Sequence, residues 1–189
     1  MKKETRKDEI LVASAKLFKE KGYSAVTMRD LAQTLGIKAA SLYNHINSKQ
    51  EILAHTILSI AEEFTEGMTL ILNSDQSTLD KLQNIIALHV EISSNNSNGM
   101  ASLNNDWMHL EDKQAYYLKL RYDYEDNFRS IIKKGIANKE LKQVDPEVTL
   151  FSILSTLRSL YLWIPSKEDI NKEELAANLS EVLLNGINR

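Results

Sequence analysis

The side chains best suited to bind a polyanion are concentrated near the amino terminus. Residues 1–55 carry ten Lys or Arg against six Asp or Glu, whereas the rest of the chain carries thirteen against twenty, and the net charge is only −3. A basic segment on a weakly acidic chain is typical of a nucleic-acid-binding part joined to a part with another task. Charges also segregate by chance on solvated faces, so this prediction needs the support of a motif.

Residues 27–46, TMRDLAQTLGIKAASLYNHI, supply that motif. They have the layout of a helix, a tight turn with glycine and a second helix, which is typical of a helix-turn-helix whose second helix enters the DNA major groove. Leu42 and Ile46 are predicted to face inward. Short side chains at the start of the second helix allow a close approach to base edges: Ala39, Ala40 and Ser41. Four side chains are predicted to reach outward: Lys38, Tyr43, Asn44 and His45.

Apolar residues recur at helical spacing from end to end, which predicts an all-α fold with about nine helices. Six Gly and two Pro in 189 residues are too few for an all-β sandwich or barrel. The first helix is predicted to end near Lys21-Gly22, the second to begin at Met28 and end at a left-handed cap on Gly36. A third runs over 38–45, and a fourth from the Ser48 cap to about Leu72.

Five further helices are predicted in the remaining chain. They lie between polar breaks at 73–77 and 93–99, and over 100–110, 113–138, 146–164 and 171–187. The Asn-rich break at 93–99 is expected to be a mobile loop. The helix over 146–164 starts with proline at its first position and is apolar nearly all round, so it needs cover on more than one side.

The segment ILVASAKLFKEKGYSAVTMRDLAQTLGIKAASLYNHINSKQEIL, positions 10–53, resembles the TetR family of bacterial transcription regulators. The resemblance covers the Gly-Tyr end of helix one, the Thr before helix two, the Gly-Ile turn, and Leu-Tyr-x-His followed by Ser-Lys-x-x-Ile-Leu. One departure is Ile46, where these proteins usually carry Phe. The resemblance implies a DNA-binding domain over 1–48 and a ligand-binding and dimerisation domain over 49–189.

The same resemblance implies two sets of DNA contacts, each named by its position in this chain. Phosphates would be held by Thr27, Tyr43, His45 and Lys49. Bases would face Lys38, Ala39, Ala40, Ser41 and Asn44. Other readings stay open: Thr27 is also the predicted cap of helix two, and Tyr43 and His45 can instead cover the joint between helices three and four. A basic arm would come from Lys2, Lys3, Arg6 and Lys7.

In this family the last two helices pair with their symmetry mates in a four-helix bundle. The resemblance therefore implies a homodimer on a palindromic operator, which suits two-fold DNA sites. The interface residues it implies are Phe151, Leu154, Leu175, Leu179 and Val182. The alternative is that helix 146–164 is the central helix of a monomer.

A ligand pocket is predicted on the helix over 113–138, where Arg121 shares one stripe with three aromatic residues. Arg121 either binds an anionic ligand or pairs with Glu125 one turn on, and the pair is the more common arrangement. The predicted pocket residues, each of which can instead fill the core, are Met100, Trp107, Tyr117, Arg121, Tyr124 and Phe128. Stretches such as MASLNNDWMHL resemble TetR regulators of lipid metabolism that respond to acyl-CoA, so an acyl-CoA effector is one hypothesis.

No motif for catalysis, a cofactor or a metal is found in the sequence. There is no Cys, no G-x-S-x-G elbow and no phosphate-binding glycine loop, and the four His lack metal-ligand spacing. We therefore expect a regulator and not an enzyme, with no cofactor, no metal and no membrane partner, acting in the cytoplasm. The alternative function is a dimeric helical ligand-binding or interaction protein without DNA-binding function, and intact Tyr43, His45 and Lys49 argue against it.

Overall fold

The computed structural model describes residues 5–167 and 169–185. Within them the chain forms helices and no strand, which confirms the all-α fold class. The α-helices are α1 Arg6–Lys21, α2 Met28–Thr34, α3 Ala39–Tyr43, α4 Lys49–Leu72, α5 Thr78–Asn95, α6 Ser97–Asn105, α7 Gln114–Ala137, α8 Pro146–Arg158, α9 Leu160–Trp163 and α10 Lys172–Leu184. If α8 and α9 are counted as the single helix predicted there, these residues contain the nine helices expected from the sequence.

The chain divides into two compact units. Within the described residues, the first unit consists of 5–61 and 98–117, and the second of 62–97, 118–167 and 169–185. Residues 98–117 therefore pack in the same unit as the helix-turn-helix. The division into a DNA-binding domain over 1–48 and a ligand-binding and dimerisation domain over 49–189 stays a prediction about function.

Side-chain caps fix where α1 and α2 begin. Thr5 and Asp8 form a reciprocal capping box at α1, and Thr27 and Asp30 form the same arrangement at α2. Each cap satisfies backbone N–H groups that the first turn leaves unpaired and contributes about 1 kcal/mol. The predicted start of helix two at Met28 is thereby confirmed.

The turn between α2 and α3 is built on Gly36, whose φ is 66°. The N–H of Ile37 donates to Ala32 O at 3.0 Å, and the N–H of Gly36 donates to Gln33 O at 3.1 Å. This pair of bonds is a Schellman motif, which places the residue after the helix in the left-handed region. The predicted left-handed cap at Gly36 is confirmed.

One predicted break and one predicted helix end in the second half are wrong. The Asn-rich stretch at 93–99 is not a loop, because α5 continues to Asn95 and α6 begins at Ser97, leaving a single residue between them. Asn95 Nδ2 donates to Glu91 Oε1 at 2.6 Å, which supports the last turn of α5. Polar composition indicated a loop where these side chains stabilise a helix end. The following helix also stops at Asn105, and Trp107–His109 forms a 3₁₀ turn.

The helix predicted over 146–164 is interrupted at Ser159. The Ser159 hydroxyl donates to Ser155 O at 2.6 Å, and its N–H donates to Thr156 O at 3.1 Å, so the chain tightens there before α9 begins. By length and composition alone the segment Pro146–Ser166 could cross a membrane. The core helix of a folded protein passes the same test, and Leu150, Leu154 and Leu157 of α8 are buried in the second unit.

Candidate nucleic-acid interface

Helix α3 presents one face to solvent and buries the other in the first unit. Leu42 is 0% exposed and Ile46 is 1% exposed, which confirms the prediction that both face inward. Tyr43 is 52% exposed. The other residues expected to meet DNA from this helix are exposed, except for half-buried Ser41: Lys38, Ala39, Ala40, Asn44 and His45. A slim, exposed helix start with flanking polar side chains is the shape that the major groove admits.

Thr27 is exposed, and its side chain caps α2. Its hydroxyl donates to Asp30 Oδ2 at 2.6 Å, and its N–H donates to the same oxygen at 2.8 Å. These two hydrogen bonds hold the pKa of the Asp30 carboxyl below its ordinary value. The cap role predicted for Thr27 is present. A phosphate contact from its hydroxyl requires that hydroxyl to turn away from Asp30.

The Lys49 side chain is half-buried, and its ammonium is hydrogen-bonded within the first unit. Lys49 Nζ donates to Tyr23 O and to Val26 O, both at 2.8 Å, and lies 4.2 Å from the centre of the Tyr23 ring. Its partial burial lowers the pKa of Lys49. An ammonium has three N–H donors, so one remains for a phosphate in addition to the backbone at the start of α4. Nothing in the sequence pattern signalled these internal contacts.

A second set of contacts ties the start of α4 to the turn after α6. The Tyr23 hydroxyl donates to Gln50 Oε1 at 2.7 Å, and Gln50 Nε2 donates to His109 O at 2.5 Å. The Tyr23 and His109 rings stack with 5.2 Å between centroids. Burial, and then the charges of Glu111 and Asp106, raise the pKa of Tyr23. We call Tyr23, Lys49, Gln50 and His109 the Tyr23 brace.

Two residues of the predicted basic arm, Arg6 and Lys7, lie in the first turn of α1, and both form ion pairs. Lys7 Nζ lies 3.2 Å from Glu51 Oε1, and Arg6 pairs with Glu9. Lys2 and Lys3 lie outside the described residues.

The start predicted for helix four is confirmed by the hydrogen bonds of Glu51. Its carboxylate accepts from Asn47 N at 2.9 Å, and its own N–H donates to Ser48 Oγ at 3.0 Å.

The residues predicted for a ligand pocket are divided between the two units. Met100, Trp107 and Tyr117 belong to the first unit, where Tyr117 donates to Leu103 O at 3.3 Å and stacks on Trp107 at 6.0 Å. Met100 is 1% exposed and Tyr117 is 4% exposed, so both fill the core of that unit.

Arg121, Tyr124 and Phe128 belong to the second unit. Arg121 Nε lies 3.2 Å from Glu125 Oε1, so the pairing alternative is present, and Arg158 Nη2 reaches the same oxygen at 2.5 Å. Burial alone would raise the pKa of Glu125, but Arg158 and then Arg121 hold it below its ordinary value. The sequence did not point to Arg158 as a partner.

Of the residues predicted for a dimer interface, one is wrong. Leu154 is 3% exposed because it lies on the stripe of α8 that faces the core of its own unit. Phe151 is 72% exposed and Val182 is 76% exposed. Leu175 and Leu179 on α10 are half-buried. Two exposed apolar side chains on α8 and α10 thus remain available for a partner.

Among residues 5–167 and 169–185, no three His, Cys, Asp or Glu are grouped so that they could hold a metal ion.

Two family descriptions match the sequence. Residues 10–56 match "Bacterial regulatory proteins, tetR family", and residues 75–187 match "Tetracyclin repressor-like, C-terminal domain". The second match alone covers more than half of the chain.

Three individual relatives share about one fifth of their residues with this chain. The HTH-type transcriptional repressor KstR2 of Rhodococcus jostii is 21% identical over 188 residues, which cover 98% of this chain and 92% of that protein. The structure of the ketosteroid transcriptional regulator KstR2 of Mycobacterium tuberculosis has a TM-score of 0.91 at 20% identity and covers 98% of this chain and 96% of its own. AibR in complex with isovaleryl coenzyme A and operator DNA has a TM-score of 0.77 at 19% identity, covering 94% and 97%.

Proposed function

Because the chain belongs to the TetR family of bacterial regulatory proteins, we propose that it represses transcription as a homodimer on a two-fold operator and leaves the DNA when a small molecule binds. The chain is a DNA-binding transcriptional regulator and not an enzyme. Its site of action is then wherever the chromosome lies, which is the bacterial cytoplasm.

The observation that carries the proposal is the two-sided character of α3. Leu42 and Ile46 anchor this region in the core, while Ala39, Ala40 and Asn44 are exposed. In the proposed complex, the short side chains and the Asn44 amide meet base edges. Tyr43 and His45 contact phosphates and set the register. Thr27 and Lys49 contribute mainly through the helix starts that they occupy, because their side chains already have partners.

Exposed apolar side chains of the second unit support the homodimer. Val148 and Phe151 lie on α8, Leu162 on α9 and Val182 on α10, and each is more than half exposed. A second copy of this chain is the occupant that we propose for these side chains, because a two-fold operator requires two recognition helices related by symmetry. The half-buried Leu175 and Leu179 would flank this contact.

An acyl-CoA thioester is the effector class that we propose. The support is the resemblance of the C-terminal sequence to acyl-CoA-responsive regulators, together with the fold shared with AibR, whose structure holds isovaleryl coenzyme A and operator DNA. The effector must bind the DNA-free conformation more tightly. Lowering operator affinity about 100-fold requires about 2.7 kcal/mol of coupling.

An electrophoretic shift with DNA from the gene's own upstream region tests the proposal. We expect a specific complex that survives unrelated competitor DNA, weakens steeply with salt and dissociates on addition of an acyl-CoA. Dissociation by free coenzyme A as well would contradict the acyl-CoA assignment. Failure to bind that DNA and any sequence selected from a random pool would favour a helical ligand-binding protein without DNA-binding function.

A further inference from the structure

The interior of the second unit contains three polar side chains that the DNA-binding function does not use. His89 and Ser93 come from α5 and Tyr124 from α7, and they are 3%, 0% and 7% exposed. His89 Nε2 and the Tyr124 hydroxyl share a hydrogen bond of 2.9 Å. The Phe64 ring of α4 lies 4.5 Å from the His89 ring, centroid to centroid. We call His89, Ser93 and Tyr124 the His89 cluster.

Two atoms of the His89 cluster lack a hydrogen-bond partner within the described part of the chain. They are His89 Nδ1 and Ser93 Oγ, each on a residue that is more than nine-tenths buried. The two residues are four apart on α5 and therefore lie on the same side of the helix, one turn from each other. Buried polar atoms in native proteins nearly always have partners, so a pair that lacks them needs one from outside the chain.

All three members of the His89 cluster are uncharged near neutral pH. Burial, and then the positive charge of Arg158, lower the pKa of His89 to about 3. Burial raises the pKa of Tyr124 above its ordinary value. The Arg158 guanidinium is engaged by Glu125 at 2.5 Å. An ionised ligand group would have to lose its water here without a direct counter-charge, whereas an uncharged oxygen would gain hydrogen bonds.

The residues one helical turn from Phe64, His89 and Tyr124 are apolar and buried. Met68, Ile86 and Phe128 each lie one helical turn from Phe64, His89 and Tyr124, respectively, and all three are 0% exposed. A molecule that reaches the cluster must therefore be mostly apolar.

We propose that the His89 cluster binds the uncharged oxygen, hydroxyl or carbonyl, of a mostly apolar small molecule. A neutral imidazole has one donor and one acceptor nitrogen, and a serine hydroxyl can both donate and accept, so His89 Nδ1 and Ser93 Oγ can hold either kind of oxygen. The inference rests on the proposed function in one respect: this molecule, or this part of it, is the effector.

Thermal unfolding and calorimetric titration of the full-length protein with three probes test the proposal. The probes are 1-octanol, 2-octanone and octanoate, which share a chain length and differ in the oxygen group. Ser93→Ala removes one unpartnered hydroxyl and leaves the free protein folded, because that hydroxyl makes no bond in the free chain. Ser14→Ala is the matched control, since Ser14 Oγ is also buried without a partner, on α1 in the first unit.

We expect 1-octanol to bind and raise the melting temperature, and Ser93→Ala to weaken its binding about three- to tenfold, the effect of one neutral hydrogen bond. Ser14→Ala should leave binding unchanged. The proposal is overturned if no probe binds, if Ser93→Ala and Ser14→Ala act alike, or if octanoate binds as tightly with the same dependence on Ser93. Operator binding measured without probe in the same preparation separates this outcome from failure of the proposed regulator.

Discussion

At the scale of single residues, the exposed side chains of α3 divide into those expected to position the protein and those expected to read sequence. Tyr43 is the last residue of α3 and is half exposed, whereas the opposite side of this helix is buried. A phosphate contact from its hydroxyl carries no sequence information, because every nucleotide has the same backbone. Asn44, by contrast, has an amide that can pair with a base edge.

Tyr43→Phe should therefore weaken binding to operator DNA and to unrelated DNA alike, by about three- to tenfold, which is the effect of one lost hydrogen bond. Protein stability should change little because the hydroxyl is not buried. Fluorescence anisotropy with both DNAs measures the effect, and Asn44→Ala is the comparison, since it should change the preference between them. Normal DNA binding by Tyr43→Phe would show that its hydroxyl contacts no phosphate.

A second prediction at this scale concerns pH. The pKa of His89 is about 3 in the folded protein and near its ordinary 6.5 when unfolded, so between these values the unfolded chain binds the extra proton. The free energy of unfolding should thus fall as pH falls below 6.5, by about 2 kcal/mol between pH 7 and pH 5. Urea unfolding at both pH values should show this loss in the wild type and not in His89→Gln. Equal losses in both proteins would mean that other groups cause it.

Local signals explain which residue roles the sequence could predict. The Thr27 cap and the inward direction of Leu42 follow from neighbours three or four positions away, and both are present. The contacts of Lys49 with the carbonyls of Tyr23 and Val26 join residues more than twenty positions apart. No periodicity encodes such a pairing, so the sequence assigned the Lys49 ammonium to DNA alone.

At the scale of elements, helix starts were predictable and several helix ends were not. The Ser48 and Glu51 pair marks the start of α4 locally, through one side chain and one N–H. At the break, the Ser159 hydroxyl donates to the carbonyl of the previous turn. The hydroxyls of Thr149, Ser152 and Thr156 donate in the same way, but the helix continues past each of them. Packing decides between these outcomes.

The turn between α2 and α3 gives a prediction about Gly36. A Cβ there meets nothing within 4 Å, so the penalty for another residue is the positive φ alone. Gly36→Ala should lower the free energy of unfolding by about 1 to 2 kcal/mol, and Gly36→Asn by less, because Asn tolerates the left-handed region. Urea unfolding of the two variants gives the comparison. Equal stability of Gly36→Ala and the wild type would contradict the role of this glycine.

The Tyr23 brace predicts coupling between Tyr23, which lies between α1 and α2, and Gln50 in the first turn of α4. Removing either the Tyr23 hydroxyl or the Gln50 amide leaves the other buried or half-buried group without its 2.7 Å partner. Tyr23→Phe and Gln50→Ala should each lower stability by about 1 to 2 kcal/mol, and the double variant by clearly less than their sum. A double-mutant cycle in urea measures the coupling. Additive losses would show that the two side chains act independently.

At the scale of the whole molecule, the proposed repressor is a dimer held through α8 and α10. Phe151→Glu places a charge on a side chain that is 72% exposed in the single chain, so it should leave the fold intact and disrupt pairing. Sedimentation should give twice 21.5 kDa for the wild type and 21.5 kDa for the variant. Tyr122→Glu, at a residue 58% exposed on α7, is the control that should stay dimeric. A wild-type monomer would contradict the proposed interface.

Selection of binding sites from a random double-stranded DNA library by the purified full-length protein tests whether it reads a two-fold operator with α3, because the selection needs no knowledge of the regulated genes. We expect enrichment of a two-fold symmetric sequence whose half-sites lie about one helical turn or slightly more apart, and loss of that enrichment in Phe151→Glu. Enrichment of an asymmetric single site, or of no sequence at all, would contradict a dimeric repressor that reads DNA with α3.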